Sequence, residues 1–297
     1  MAKIKLITDT GSDLKLPVAQ RYNIRLIPFS YRYDGETYLR SQIDETTEEF
    51  YNNLRAAQTP PKTTQITPAQ FADIFREELD AGYDTIIITT LSGSASGTYQ
   101  NANIAAAEVM EERDCDIRIV DSQTFTCLYA QPVIHAAKMV AAGASADEVE
   151  NYLKKATADF SAAFVVSDLE HLKKGGRINA ATLLFANMLD IKPILTIDKG
   201  LVIQSEKVRG EKRINKKIIE MAVKNAGDLN GKTVIGAYAD AEDKLEELMG
   251  ELKEQFPDIN ILKCNIGPII GTHGGPTLYG FAYSTSGKFD ISDYEEE

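Results

Sequence analysis

The chain has 297 residues, 43% of them hydrophobic and 26% charged, the balance of a soluble globular protein with room for one large domain or two modest ones. Lys and Arg number 32 against 44 Asp and Glu, a net charge of −12. That argues against nucleic acid or an anionic membrane as a general partner, and any anion must be held by local donors. Three widely spaced cysteines, Cys115, Cys127 and Cys264, form no CxxC pair and suit reduced thiols in the cytoplasm. The apolar run after Met1 is too short for a signal peptide, and no stretch reaches transmembrane length.

In chain order, Lys3 to Thr8 reads as a strand ending in the polar turn Thr8-Asp9-Thr10-Gly11-Ser12-Asp13. A short helix over Pro17 to Tyr22 follows, then one extended segment from Ile24 to Tyr33 and a hairpin-like turn at Asp34-Gly35. Thr46 to Ala57 is a helix. Thr67-Pro68 starts another, with Thr as cap and Pro at the first helical position. Tyr83 to Thr90 is a buried strand, Asn101 to Met110 a helix, Asp116 to Val120 a strand and Leu128 to Ala142 a helix. Repeated βα units of this kind predict a parallel sheet covered on both faces.

From Asp147 the pattern changes. A helix leads to a strand over Ala162 to Ser167, then to the basic, glycine-containing turn Leu169 to Arg177 before another helix. Lys192 to Asp198 and Gly200 to Lys207 predict a hairpin around Lys199-Gly200. Ile214 to Ala226 is a helix, Thr233 to Ala239 a strand, Asp243 to Gln255 a helix and Asn260 to Ile266 a strand. The expectation is an α/β domain over residues 1–155 and an α+β domain, partly antiparallel, over 156–297. The acidic tail Asp290 to Glu297 is expected to be solvated and mobile.

The loop Leu91 to Gln100 joins the end of a strand to the start of a helix and carries Ser92, Ser94, Ser96 and Thr98. In α/β proteins that is where ligands bind, and free N–H groups at a helix start suit an anion. Ser96 can cap the helix, and Gly97 removes the side chain that would keep a ligand from the backbone. The alternative is an ordinary Ser cap with a flexible loop. His273, between glycines in Gly271-Thr272-His273-Gly274-Gly275, can meet a ligand or simply mark a turn; His135 reads as core, and His171 stands near the basic turn.

The ordered set of polar turns resembles the DegV family, which includes the fatty-acid-binding subunits of bacterial fatty acid kinase. The carrying residues are Thr8-Asp9-Thr10-Gly11-Ser12-Asp13-Leu14, Lys62-Thr63-Thr64-Gln65, Ser96-Gly97-Thr98-Tyr99-Gln100, Val120-Asp121-Ser122, Leu172-Lys173-Lys174-Gly175-Gly176-Arg177-Ile178, Lys192-Pro193-Ile194-Leu195 and Ile270-Gly271-Thr272-His273 with Gly275-Pro276. The family often has Thr-Ser-Gln where this chain has Thr63-Thr64-Gln65. It commonly has a larger aliphatic residue at Ala95, and a residue then Gly-Pro-Gly after the His, where this chain reads Gly274-Gly275-Pro276-Thr277.

The resemblance implies a two-domain DegV-like α/β fold: an N-terminal parallel-sheet domain, a C-terminal α+β domain and a lipid-binding cleft. It implies a long-chain fatty acid with its tail buried and its carboxylate on Thr63 or Thr64, Ser96 with Gly97 at the helix start, and His273. Lys173, Lys174 and Arg177 are candidate contacts for a partner or a phosphate, or plain solvated surface. Ten or more buried methylenes at ~0.8 kcal/mol each contribute on the order of 10 kcal/mol before the costs of association. Each charged head-group hydrogen bond adds about 1.5–3 kcal/mol. The implied partner is an ATP-binding kinase subunit that phosphorylates the carboxylate to an acyl phosphate. The chain itself has no GxxxxGK[ST] loop and no acidic pair suited to Mg²⁺, so it reads as a non-catalytic cytoplasmic carrier with no cofactor or metal, making transient membrane contact at most. One rival reading is a serine hydrolase of acyl esters, with Ser96 as nucleophile and His273 as base, although Gly93-Ser94-Ala95-Ser96-Gly97 lacks the spacing of a nucleophile elbow. The other is a phosphate or nucleotide binder at the helix N-termini, against which stand the few basic residues beside the loops.

Overall fold

Four strands make the first sheet: β1 (Ile4–Asp9), β2 (Ile24–Ile27), β6 (Thr85–Thr90) and β7 (Asp116–Asp121), in the order β2-β1-β6-β7 and all parallel. The computed structural model describes residues 3–33, 35, 37–167, 169–178, 191–289 and 291–295. Every residue of β1 and of β6 is buried, as their unbroken apolar runs require when a parallel sheet is covered on both faces. The helices α3 (Pro68–Asp80), α4 (Thr98–Glu112), α5 (Cys127–Ala141) and α6 (Ala146–Asp159) pack on this sheet. Thr67 and Ser145 close capping boxes at α3 and α6.

The second sheet has six strands: β8 (Phe160–Val165), β9 (Ile191–Asp198), β10 (Leu201–Arg209), β11 (Thr233–Tyr238), β12 (Asn260–Asn265) and β13 (Tyr279–Ser284). Their order is β10-β9-β8-β13-β11-β12, antiparallel apart from the β11–β12 pair. Alternation along β8 sorts its side chains: Ala163 and Val165 join a core with α8 (Ile214–Ala226) and α9 (Glu242–Gln255), while Ala162 and Phe164 face the other core, shared with the first sheet. The predicted hairpin between β9 and β10 turns on Lys199 (φ 48°) and Gly200 (φ 77°), two positive-φ residues as a tight primed turn demands.

Several expectations need correction. The extended segment Ile24 to Tyr33 is broken at Pro28-Phe29. Its second half, β3 (Ser30–Arg32), leaves the first sheet and pairs with β4 (Leu39–Arg40) and β5 (Lys62–Thr64) in a small antiparallel sheet. Lys62–Thr64 is therefore a strand and not simply a polar turn. His273 lies in the last turn of a short helix, α10 (Pro268–Gly274), which packs on α2 (Thr47–Ala56) and on α7 (Glu170–Gly175). The C-terminal tail is not uniformly solvated: Ile291 and Tyr294 are buried in the main core. Asp293 accepts hydrogen bonds from His135 and from Lys138 (2.6 Å), so His135 is a partly buried residue tied to the tail. The helix expected after Arg177, Asp34 of the first turn, and Asp290, Glu296 and Glu297 of the tail lie outside the described residues.

Candidate functional site

A cavity of about 530 Å³ lies between the carboxyl ends of the first sheet and the inner face of the second. Phe29, Leu91 and Phe125 follow β2, β6 and β7; Ala162, Phe164, Val202 and Ala282 come from the mixed sheet. Ligands of α/β proteins bind at those strand ends, and the volume falls within the about 300–1,000 Å³ typical of ligand pockets. The lining is mostly apolar, with Cys127, Leu128, Ile266 and Phe281 buried around it. The polar lining residues include Thr63, Thr64, Gln65, Ser96, Arg177 and His273, with Thr67 and Thr126 besides. Gln65 is exposed, and Thr63, Ser96, Arg177 and His273 are partly buried, so the polar end is the one that reaches water.

Each polar side chain is brought there by a different element. Thr63 sits on β5, and its hydroxyl lies 3.0 Å from Nε2 of His273 on α10. Thr64 points elsewhere, its hydroxyl donating to the Ser30 carbonyl at 3.2 Å across the β3–β5 pair. Ser96 precedes the helix by two residues, because α4 begins at Thr98 with Gly97 as its cap. This corrects Ser96 as the capping residue. Its oxygen instead lies 2.8 Å from the Thr98 hydroxyl and accepts the Thr98 N–H at 3.3 Å. Of the four loop hydroxyls, Ser92 and Ser94 are spent on structure: they donate to the carbonyls of Gly200 (2.8 Å) and Lys199 (3.0 Å), tying the loop to the β9–β10 turn. A Cβ at Gly97 would meet the Gln65 side-chain oxygen, the far end of an exposed side chain that can swing aside, so glycine here leaves the loop open without being demanded by the backbone.

Burial, helped by the neighbouring charges of Arg177 and His171, lowers the His273 pKa to about 4. The ring is therefore neutral at pH 7 and serves as a hydrogen-bonding group, not a cation. The positive charge at this end of the cavity belongs to Arg177. Its Nε donates to the Ala95 carbonyl at 3.0 Å, and it also bonds the Gly175 carbonyl, so the guanidinium bridges the Ser/Gly loop and the end of α7. Lys173 and Lys174, by contrast, are exposed on α7. The structure thus brings Thr63, Ser96, Gly97, Arg177 and His273 to one place and leaves Thr64 at its edge and the two lysines outside. Gln65, the last residue of the Lys62-Thr63-Thr64-Gln65 run, lines the cavity as well. Ser96 meets Thr98 and His273 meets Thr63, so no Ser96–His273 dyad is formed. Among the described residues no group of three or more His, Cys, Asp or Glu could hold a metal ion, and no helix is long and apolar enough to cross a membrane.

Fold and site together define a mixed α/β protein with an apolar cavity between two sheets, capped at one end by hydroxyls, an imidazole and a guanidinium. The chain belongs to the DegV family: residues 3–286 match the family described as "Uncharacterised protein, DegV family". A DegV domain-containing protein of Clostridium perfringens is 32% identical over 95% of this chain and 98% of its own length. A protein of Thermotoga maritima named a fatty acid-binding protein is 30% identical over 94% of this chain and 96% of its own. A solved structure described as fatty acid binding of a DegV family protein from Thermus thermophilus superposes with a TM-score of 0.84 at 30% identity, covering 95% of this chain and 99% of that one. The parallel first sheet and mixed second sheet agree with that structure.

Proposed function

We propose that this protein binds a long-chain fatty acid, lays its acyl tail along the apolar cavity and holds its carboxylate at Thr63, Ser96 and His273. The observation that carries this reading is the 530 Å³ apolar cavity ending on the Thr63–His273 pair beside Ser96. The names of the Thermotoga and Thermus relatives support the same ligand class. Tail burial supplies most of the affinity, at ~0.8 kcal/mol per methylene, and the polar end orients the head group. A neutral His273 donates to the carboxylate, the first turn of α4 adds its dipole, and Arg177 offsets the charge.

The carboxylate so held faces water and is available to an ATP-dependent kinase subunit that converts it to an acyl phosphate. In this reading the chain is a cytoplasmic carrier without catalysis of its own. Arg177, with Lys173 and Lys174 on the adjoining helix, meets that partner or the transferred phosphoryl group. Extraction of the purified protein followed by mass spectrometry should yield a fatty acid. In calorimetric titration with oleate, Ser96→Ala and His273→Ala should each bind more weakly than wild type with the fold retained. Acyl phosphate should form from ATP, Mg²⁺ and fatty acid only when a kinase subunit is added. Unchanged affinity in both variants, or acyl phosphate formed by the chain alone, would overturn the reading.

A further inference from the structure

The first polar turn, Thr8 to Asp13, lies outside the cavity, yet two of its carboxylates reach the two elements that carry the head-group residues. Asp9 is fully buried. Its Oδ2 accepts the N–H of Leu91 at 2.9 Å, and its Oδ1 accepts the N–H of Gly11 at 2.9 Å and the hydroxyl of Tyr129 at 2.7 Å. Leu91 is the first residue of the loop that ends in Ser96 and Gly97. Asp13, also buried, accepts the N–H of Gly267 at 3.0 Å through Oδ1. Gly267 is the cap of α10, whose last turn carries His273. The adjoining carbonyl, of Ile266, accepts the Tyr51 hydroxyl at 2.8 Å.

We propose that Asp9 and Asp13 are positioning residues for the two sides of the head-group clamp: Asp9 sets the Ser96 loop, and Asp13 sets the helix that brings His273 to Thr63. This rests on the head-group assignment proposed above. A seven-residue helix makes few backbone hydrogen bonds of its own, so its placement depends on side chains that fix its ends. Two carboxylates four residues apart on a single turn therefore couple elements that belong to different sheets. Burying a carboxylate costs heavily unless its hydrogen bonds are made; Asp9 accepts three, whereas Asp13 accepts one and so depends on Gly267.

The two positions differ in what can replace them. Asp13 uses only Oδ1; its Oδ2 has no hydrogen-bond partner. Its φ of 57° is left-handed, a conformation open to Asn and Gly. Asp13→Gly thus removes the acceptor without backbone strain, and Asp13→Asn keeps it. Asp9 uses both oxygens. In Asp9→Asn an amide nitrogen must face a donor, so Asn cannot substitute there.

The test reads the imidazole of His273 by NMR in the lipid-free protein, assigned against His273→Ala, together with calorimetric titration with oleate and thermal unfolding of each variant. Asp13→Gly should move the His273 ring signals and weaken oleate binding about tenfold, the scale of one charged hydrogen bond. Asp13→Asn should return both to wild type. Asp9→Asn should weaken oleate binding by a similar factor and leave the His273 signals in place. Unmoved His273 signals in Asp13→Gly, or an Asp13→Asn that behaves like Asp13→Gly, would overturn the proposal for Asp13. Unchanged binding in Asp9→Asn would overturn it for Asp9. The ring signals report position without any ligand, so they decide the Asp13 question even if His273→Ala binds oleate as wild type and the fatty acid reading fails.

Discussion

The hydroxyl of Thr63 and Nε2 of His273 lie 3.0 Å apart although 210 residues separate them. Next to Thr63, the Thr64 hydroxyl already serves the Ser30 carbonyl. Both threonines line the cavity, but with the Thr64 hydroxyl engaged on β3 it is Thr63, beside His273, that is placed for the clamp. Thr63→Ala should weaken oleate binding by roughly five- to tenfold, the loss of one hydrogen bond to a charged group. Thr64→Ala should change it less than about twofold while costing up to about 1.5 kcal/mol of stability for the lost bond. Calorimetric titration of both variants separates them, and equal losses of affinity would count against Thr63 as the head-group residue.

Protonation should push stability in opposite directions at two places. His273 has its folded pKa lowered to about 4 by burial and by Arg177 and His171, so the unfolded chain binds the proton more readily. Its contribution is therefore complete above about pH 6.5 and is lost as pH falls towards 4. Asp13 has its folded pKa raised to about 7, with burial as the main cause. There the folded chain binds the proton more readily, and stability declines as pH rises from about 4 to 7. Relative to wild type, His273→Gln should gain stability as pH falls from 6.5 to 4, and Asp13→Asn should gain it as pH rises through the same range. Urea unfolding across a pH series measures both, with differences on the order of 1–3 kcal/mol. Parallel slopes for the two variants would contradict this assignment.

What could be seen in the sequence and what could not follows from where the stabilising partners lie. The strands β1 and β6 are legible because both of their faces are buried, which leaves unbroken apolar runs. The Lys199-Gly200 turn and the Thr67 cap are legible because their chemistry is local. Lys62–Thr64 is not, since a short polar strand carries no periodicity and is held by pairing with β3, more than thirty residues earlier. The same holds for the site: Ser96, Gly97 and His273 stand in marked loops, whereas Asp9 and Asp13 act on Leu91 and Gly267, 82 and 254 residues away. The one-residue difference in the cap of α4, Gly97 in place of Ser96, has a simpler cause. Both Ser96 and Gly97 are acceptable caps, and the Ser96 hydroxyl turns to Thr98.

Gly280 should prove intolerant of even a methyl group. It sits on β13 opposite Phe164 of β8 and lines the cavity. A Cβ there would meet the Ala163 carbonyl and would lie 2.5 Å from the Phe164 Cα, both of them backbone atoms that cannot swing aside. Gly280→Ala must therefore part the β8–β13 pair, costing about 1–3 kcal/mol, as overpacking does elsewhere. Because Phe164 also lines the cavity, the longest acids should lose affinity more than short ones. Thermal unfolding and a titration series of saturated acids check both effects; a variant as stable as wild type would show that the sheet relaxes at this point.

The C-terminal segment should act as a strap on the first sheet's helices. Ile291 and Tyr294 are buried at 2% and 3% exposure, which decides against a solvated tail. Burial alone would raise the Asp293 carboxyl, but hydrogen bonds from Lys138 and His135 more than offset it and hold the pKa below the usual range. Glu295 pairs with Arg21 and accepts the Tyr22 hydroxyl, adding a second attachment on α1 (Leu16–Arg21). Tyr294→Ala removes a large buried ring and should cost about 3–5 kcal/mol, as large-to-small core changes do. Asp293→Asn should cost less, since Lys138 and His135 are partly exposed and water replaces much of what they lose. The sign with pH follows from the lowered Asp293 value: its contribution is present above the unfolded carboxylate pKa and is lost as pH falls through the folded one. The wild-type advantage over Asp293→Asn should therefore vanish in acid. Urea unfolding of both variants at pH 7 and in acid gives the comparison, and a Tyr294→Ala midpoint equal to that of wild type would return the tail to solvent.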